Sequence, residues 1–420
     1  MSAPAEAVRA ATVGPERNPS PGVREREQRE SVSEQLVDRV RSRLASGPAR
    51  LTAPAILDAL RAEGCLLDGR DLVRAAEEVR SELTGAGLLD QFLREPGVTD
   101  ILVNAPDEVW VERRGTLVKT CVRFPDEAAV RRLAQRLAAQ AGQRLDDAAP
   151  CVDAVLPDGS RLHAVLPPVG VDGTLISLRV PARRAFTLEE LESSGMVNAD
   201  GARLLRALVA ARVSFLISGG TGTGKTTLLG TAIGLVPAGE RIVLAEECSE
   251  AVGRHPQLVR LQGRSANQEG RGAVGLRTLV RQALRMRPDR VVVGEVRGVE
   301  VCDLLNALNT GHEGSSATIH ANGVAELPAR IEALALPSGI DRASLHAQLA
   351  AGVQVVVHLV RGRTGVRRLG SVGLLERGRD GFVQAVPAFV FGEDGVDTAR
   401  RGRGPPGGLA AEVRRPRTGR

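Results

Sequence analysis

The residues best suited to chemistry run from Gly219 to Thr227, read Gly-Gly-Thr-Gly-Thr-Gly-Lys-Thr-Thr, and have the spacing G-x-x-x-x-G-K-[ST]. Glycines so spaced let backbone N–H groups turn inward around an anion, and a helix opening at the lysine adds the positive end of its dipole. The apolar run VSFLIS precedes the loop and LLGTAIGL follows it, which is the strand–loop–helix setting the motif needs. The pattern assigns Lys225 to the β- and γ-phosphates of a nucleotide and the Thr226 hydroxyl to Mg²⁺. It gives Gly219, Gly220, Thr221, Gly222, Thr223, Gly224 and Thr227 to the phosphate cradle. Of 56 basic residues all but Lys119 and Lys225 are arginine, so a lysine retained inside this loop marks a place for a compact, rotatable ammonium. Lys119 lies in an ordinary strand pattern and reads as a surface lysine.

A phosphate cradle binds without specifying a reaction, so acids and sensors elsewhere must decide. RVVVGE puts Glu295 at the end of an apolar strand, and RIVLAEE does the same for Glu246 and Glu247, with Glu250 following. A carboxylate at that edge of an open α/β sheet can hold the metal or orient the attacking water. The segment TGHEGSSATIHAN carries His312 and His320, and an imidazole ending a strand of the same sheet could hydrogen-bond a γ-phosphate and report its loss.

These groups need a scaffold. From Asn198 onward the fully apolar strands VSFLIS, RIVLAE, RVVVGE, SATI and VQVVVHLV alternate with helices, the signature of a parallel sheet covered on both faces. Leu359 to Val390 reads as an antiparallel extension, giving an α/β domain over residues 198–394. Before it, short strands (ILV, EVWVE, TLVKT), a helix from Asp126 to Ala141, strands around the turn Pro157-Asp158-Gly159, and LISLRV predict an α+β domain over 88–186. A short helix from Thr187 to Ser194, capped by Thr187, links the two. Val32, Leu36, Val40 and Leu44, then Leu72, Ala76, Val79 and Leu83, recur at helical spacing and predict a small helical module over 31–87. Residues 1–30 and 395–420 read as a disordered arm and a disordered basic tail.

Composition limits the alternatives. The net charge is +6, but the stretch from Asp397 to Arg420 holds seven Arg against Asp397 and Glu412, so the body is nearly neutral and nucleic acid is not an expected partner. With no Tyr, stacking platforms are scarce. Cys65, Cys121, Cys151, Cys248 and Cys302 form no C-x-x-C pair, which argues against a disulfide framework or a zinc site. Neither a signal peptide nor a bilayer-length apolar run is legible, so a cytoplasmic chain is expected.

The series GGTGTGKTT, RIVLAEECSE, LVRQALRMRPDRVVVGEVRG and TGHEGSSATIHAN resembles the type II and type IV secretion ATPases, with the CpaF-like branch of Flp (tight-adherence) pilus assembly the best match. The resemblance implies a RecA-like P-loop NTPase domain preceded by a PAS-like domain that folds over the nucleotide, with ATP and Mg²⁺ as cofactors. It makes GGTGTGKT the Walker A motif and RVVVGE the Walker B motif with Glu295 as catalytic carboxylate. RIVLAEECSE corresponds to the Asp box, with Glu246 near metal and water, and TIHAN to the His box, with His320 as γ-phosphate sensor. Thr226, Glu246 and Glu295 would serve the metal. It further implies a homohexamer working on an inner-membrane platform protein, peripheral to the inner face of the cell membrane, with Arg161 and Arg179 of the covering domain completing the site. Arg264, Arg271, Arg281 and Arg297 are further interface candidates. The box reads Glu246-Glu247 where the family has Glu-Asp, and the four-cysteine zinc module of many type II members is absent. Two other readings are a nucleic-acid-linked motor for conjugative DNA transfer and a small-molecule P-loop kinase, which would need a lid and an acceptor pocket that no segment supplies.

Overall fold

The computed structural model describes residues 39–40, 43, 53–63, 76, 79–81, 85–113, 115–181, 184–264, 266, 271–362, 365–392 and 396–397. The predicted arm 1–30 and all of the predicted tail 395–420 beyond Asp397 lie outside them, as does most of the two helical patterns. The chain forms two compact units, parted between Arg94 and Glu95. In the first, helix α1 (Ala53–Ala62) buries Ile56, Ala59 and Leu60 with Val40, Ala76 and Val79. The short helix α2 (Asp90–Arg94) falls in the first unit and is tied backward. Asp90 accepts the Ala86 N–H at 2.9 Å and the Ser81 hydroxyl at 2.5 Å.

The second unit opens with an antiparallel six-stranded sheet, β1 (Val98–Ala105), β2 (Glu108–Arg113), β3 (Thr116–Lys119), β4 (Cys151–Val155), β5 (Arg161–Val165) and β6 (Leu175–Arg179), in the order β3-β2-β1-β6-β5-β4. Alternating residues such as Ile101, Val103, Leu162, Ala164, Ile176 and Leu178 are buried. Helix α3 (Glu127–Gln140) buries Val130, Leu133, Ala134, Leu137 and Ala138, a single stripe, and Asp126 caps its first turn by accepting the Ala129 N–H. Helix α4 (Leu188–Ser193) has a full capping box between Thr187 and Glu190. It is no loose linker: Leu188, Leu191, Met196 and Val197 are buried in the core of the domain that follows.

That domain is built on α5 (Ala199–Ala210), β7 (Phe215–Gly219), α6 (Lys225–Gly234), β8 (Ile242–Glu246), β9 (Leu258–Gln262), α7 (Leu276–Ala283), β10 (Arg290–Val296), α8 (Glu300–Leu308), β11 (Ser316–Ile319), α9 (Leu327–Ala335), α10 (Arg342–Gly352) and β12 (Val355–Arg361). The antiparallel extension is β13 (Arg367–Arg377), β14 (Val383–Phe391) and β15 (Val396–Asp397). The sheet order is β15-β14-β13-β12-β7-β11-β10-β8-β9, with the six strands from β12 to β9 parallel. Its two faces carry separate apolar cores, one around Phe215, Ile217 and Leu244, the other around Val293, Ile319 and Val356. Parallel strands point one way, so Gly219, Glu246, Glu295 and His320 come out along a single edge.

Candidate active site

The loop after β7 passes into α6 through Gly224, whose φ is +93° and whose added Cβ would lie 2.6 Å from Met196 Cε. Lys225 folds back over the loop, and its Nζ donates to the carbonyls of Gly219 at 3.1 Å and Gly220 at 2.8 Å. These are the bonds an ammonium makes to its own loop, and a phosphate offers stronger acceptors at the same place. Burial lowers the Lys225 pKa, with Glu295 pulling the other way.

Around that ammonium stand the strand-end groups. Lys225 Nζ lies 3.4 Å from both ring nitrogens of His320, and His320 Nε2 lies 2.6 Å from Glu295 Oε1. Oε1 is buried, and His320 is its close neighbour there. The other oxygen, Oε2, accepts from Arg297 Nη2 at 2.7 Å. Burial pushes the Glu295 carboxyl up, but the Arg297 hydrogen bond and the charges of Arg297, His320 and Lys225 outweigh it and hold it below the glutamate norm. Burial and the Lys225 charge lower the His320 pKa against the opposing pull of Glu295. The edge thus holds an ionised carboxylate between a neutral imidazole and a guanidinium.

Glu246 is a different acid. Only 4% exposed, it accepts the backbone N–H of Ala251 at 2.7 Å and of Glu250 at 3.2 Å on Oε1, while Arg260 stays 3.7 Å from Oε2. Burial raises its pKa above the glutamate norm despite those N–H donors. It reaches the Glu295 strand because residue 294 is glycine, where a Cβ would stand 2.6 Å from Glu246 Cγ.

Arg161, Thr226, Glu246, Glu247, Cys248, Glu250, Gly294, Glu295 and Arg297 line one cleft. The structure thus brings a covering-domain arginine to the P-loop of the same chain. Arg179 does not line that cleft; it sits directly across from Arg161 in the β5–β6 register, and its Nε donates to Asp100 at 3.1 Å. Of the proposed interface arginines, Arg297 turns inward to Glu295, with Glu247 at 3.5 Å, Arg281 pairs with Asp303 at 2.7 Å, and Arg264 donates to the Gly272 carbonyl at 2.7 Å. His312 is apart from the cleft, with Nδ1 3.2 Å from the Ala307 carbonyl. Lys119 is exposed beside Glu108. Among the described residues no cysteine is bonded to another and no cluster of metal-ligating side chains stands out; no described helix is long and apolar enough to cross a membrane. Sequence reasoning missed Cys248, Gly294 and the inward role of Arg297, although GE-x-R and ECSE both carried their positions.

A parallel sheet with a lysine-bearing phosphate loop at its central strand, and two glutamates and a histidine at the neighbouring strand ends, defines a P-loop ATPase of RecA-like architecture. The chain belongs to the Type II/IV secretion system protein family, whose model matches residues 82–401. It is 53% identical to a Mycobacterium tuberculosis protein (strain H37Rv) described as "Putative conjugal transfer protein Rv3659c", over 77% of this chain and 94% of that one. It is also 31% identical to Protein VirB11 of Agrobacterium fabrum, over 64% of this chain and 86% of the other. Among solved structures it is similar to the Legionella pneumophila ATPase DotB, with 21% identity, a TM-score of 0.49, and coverage of 73% and 81% of the two chains.

Proposed function

We propose that this chain is the subunit of a ring-shaped, ATP-driven motor of the CpaF-like type, acting at the inner face of the cell membrane on a platform protein to assemble a pilus or export protein. One observation carries the reading: Lys225, Glu246, Glu295, His320 and Arg161 come from five separate segments and meet at one end of one sheet. In this reading Lys225 exchanges two loop carbonyls for the β- and γ-phosphates. The Thr226 hydroxyl and the carboxylates of Glu246 and Glu295 are hard oxygen ligands that fit Mg²⁺, which when bound supplies countercharge to the phosphates. Glu295 aligns the attacking water, His320 senses the γ-phosphate, and Arg161 meets the charge on the transferring phosphoryl group. Arg179 is held by Asp100 and does not line this cleft.

Lys225→Ala and Glu295→Gln separate binding from chemistry. The first is expected to abolish turnover and weaken nucleotide binding; the second is expected to keep binding and slow hydrolysis by about 100-fold or more. Wild-type rates in Glu295→Gln, measured by phosphate release, would remove that acid from the mechanism. The conjugal-transfer description of the M. tuberculosis relative keeps DNA export as a second reading. Salt-sensitive stimulation of hydrolysis by DNA would favour it.

A further inference from the structure

The covering domain presents to the cleft a short ladder of charge whose pairing is set by strand register. Residue 155 of β4 stands opposite Arg161 of β5, so Asp153, two residues along, is its diagonal neighbour on the same face. On that face Cys151, Asp153 and His163 are exposed, while Val152, Ala154, Leu162 and Ala164 fill the core behind. The Asp153 carboxylate takes the Arg161 guanidinium by one edge, with Nε to Oδ1 at 3.0 Å and Nη2 to Oδ2 at 2.7 Å. This fork leaves Nη1 without a hydrogen bond to any described residue, and Arg161 lines the cleft with Thr226, Glu246 and Glu295.

We propose that Asp153 is a positioning residue for hydrolysis: it fixes the Arg161 guanidinium by its Nε–Nη2 edge so that the Nη1 end faces the phosphoryl group being transferred. The inference rests on the ATPase reading above. An arginine side chain carries considerable rotamer entropy, and a guanidinium pinned before the substrate arrives loses less on meeting a developing charge. Two N–H groups bound in a plane also fix the direction of the third nitrogen, which a single contact does not. The Asp153 carboxyl is held below its ordinary range by the Arg161 bond, against burial, so the fork persists across the neutral range.

A purely structural role competes with this. Arg161 and Arg179 are direct register partners, and like charges so placed repel. Asp153 would then serve only to offset that repulsion, as Asp100 does for Arg179.

The two roles separate in a double-mutant cycle on the full chain, read by steady-state ATP hydrolysis with thermal melting as the control. Asp153→Asn keeps the shape and loses the bidentate fork. It is expected to lower kcat about tenfold with KM for ATP within about twofold, while Arg161→Ala loses about a hundredfold. In the Arg161→Ala background, Asp153→Asn should change nothing further. Asp153→Glu, which retains the charge, should recover part of kcat. Unchanged or faster turnover in Asp153→Asn overturns the proposal. So does a loss that repeats in full without Arg161, or one that falls on KM alone. A wild-type chain that hydrolyses no ATP would instead remove the ATPase reading beneath it.

Discussion

Glu246 and Glu295 show how environment moves two side chains of one type in opposite directions. Glu295 sits among cations and stays ionised below the ordinary value of 4.5; Glu246, nearly sealed off and held by two backbone N–H groups, is pushed above it. His320 titrates below 6.5, because burial and Lys225 disfavour its cation. A base whose folded pKa is depressed favours the unfolded chain once protonated, so His320 costs stability only as pH falls below 6.5. Neutral His320 beside ionised Glu295 is therefore the form present from about pH 6.5 upward. We expect kcat to be level between about pH 7 and 8 and to fall as pH drops through the region under 6.5. His320→Asn should remove that part of the acid loss while lowering the plateau. A pH–rate profile that rises on acidification through 6.5 would mean that the imidazolium is the working form.

At the scale of elements, the site depends on how near two strands bring their ends. Gly294 is the clearest test, since a methyl group there would meet Glu246 Cγ at 2.6 Å. Gly294→Ala is expected to displace Glu246 and cut turnover by about tenfold or more, with nucleotide affinity kept because the loop and Lys225 lie on other segments. Fluorescent-ADP titration beside a rate assay checks both halves, and a fall in affinity as large as the fall in rate would contradict the placement of Glu246. Much of this site was legible beforehand for a physical reason. Strands that are apolar on both faces are buried and parallel, so their C-terminal residues share one edge whatever the loops do. The shared edge of the P-loop strand, Glu246, Glu295 and His320 followed from that, while their separate roles rested on the family resemblance. The Asp153 fork was not legible, because a diagonal contact depends on register across the Pro157-Asp158-Gly159 turn. In a chain where all but two basic residues are arginine, residue type gave no help in telling Arg161 from Arg297 or Arg281. The Thr187–Ser194 helix read as a linker because eight residues show too little periodicity to reveal a face, yet Leu188 and Leu191 are buried in the ATPase core.

For the whole molecule, the second compact unit joins the covering domain to its own P-loop domain, so Arg161 reaches the cleft without a neighbour's help. A free subunit should then turn over slowly. A ring would raise the rate by holding the covering domain closed in more of the population, a coupling that needs only a difference in affinity between open and closed states. A fragment meant to isolate the ATPase domain has to begin by Thr187, since cutting at Asn198 removes Leu188, Leu191, Met196 and Val197 from its core. The most direct test measures phosphate release from ATP per chain by the full-length protein across a range of protein concentration, with sizing in the presence of an ATP analogue and Lys225→Ala as the blank. The account predicts release well above the blank, rising with concentration as a species near six subunits appears. Release that never exceeds the Lys225→Ala blank at any concentration would contradict it.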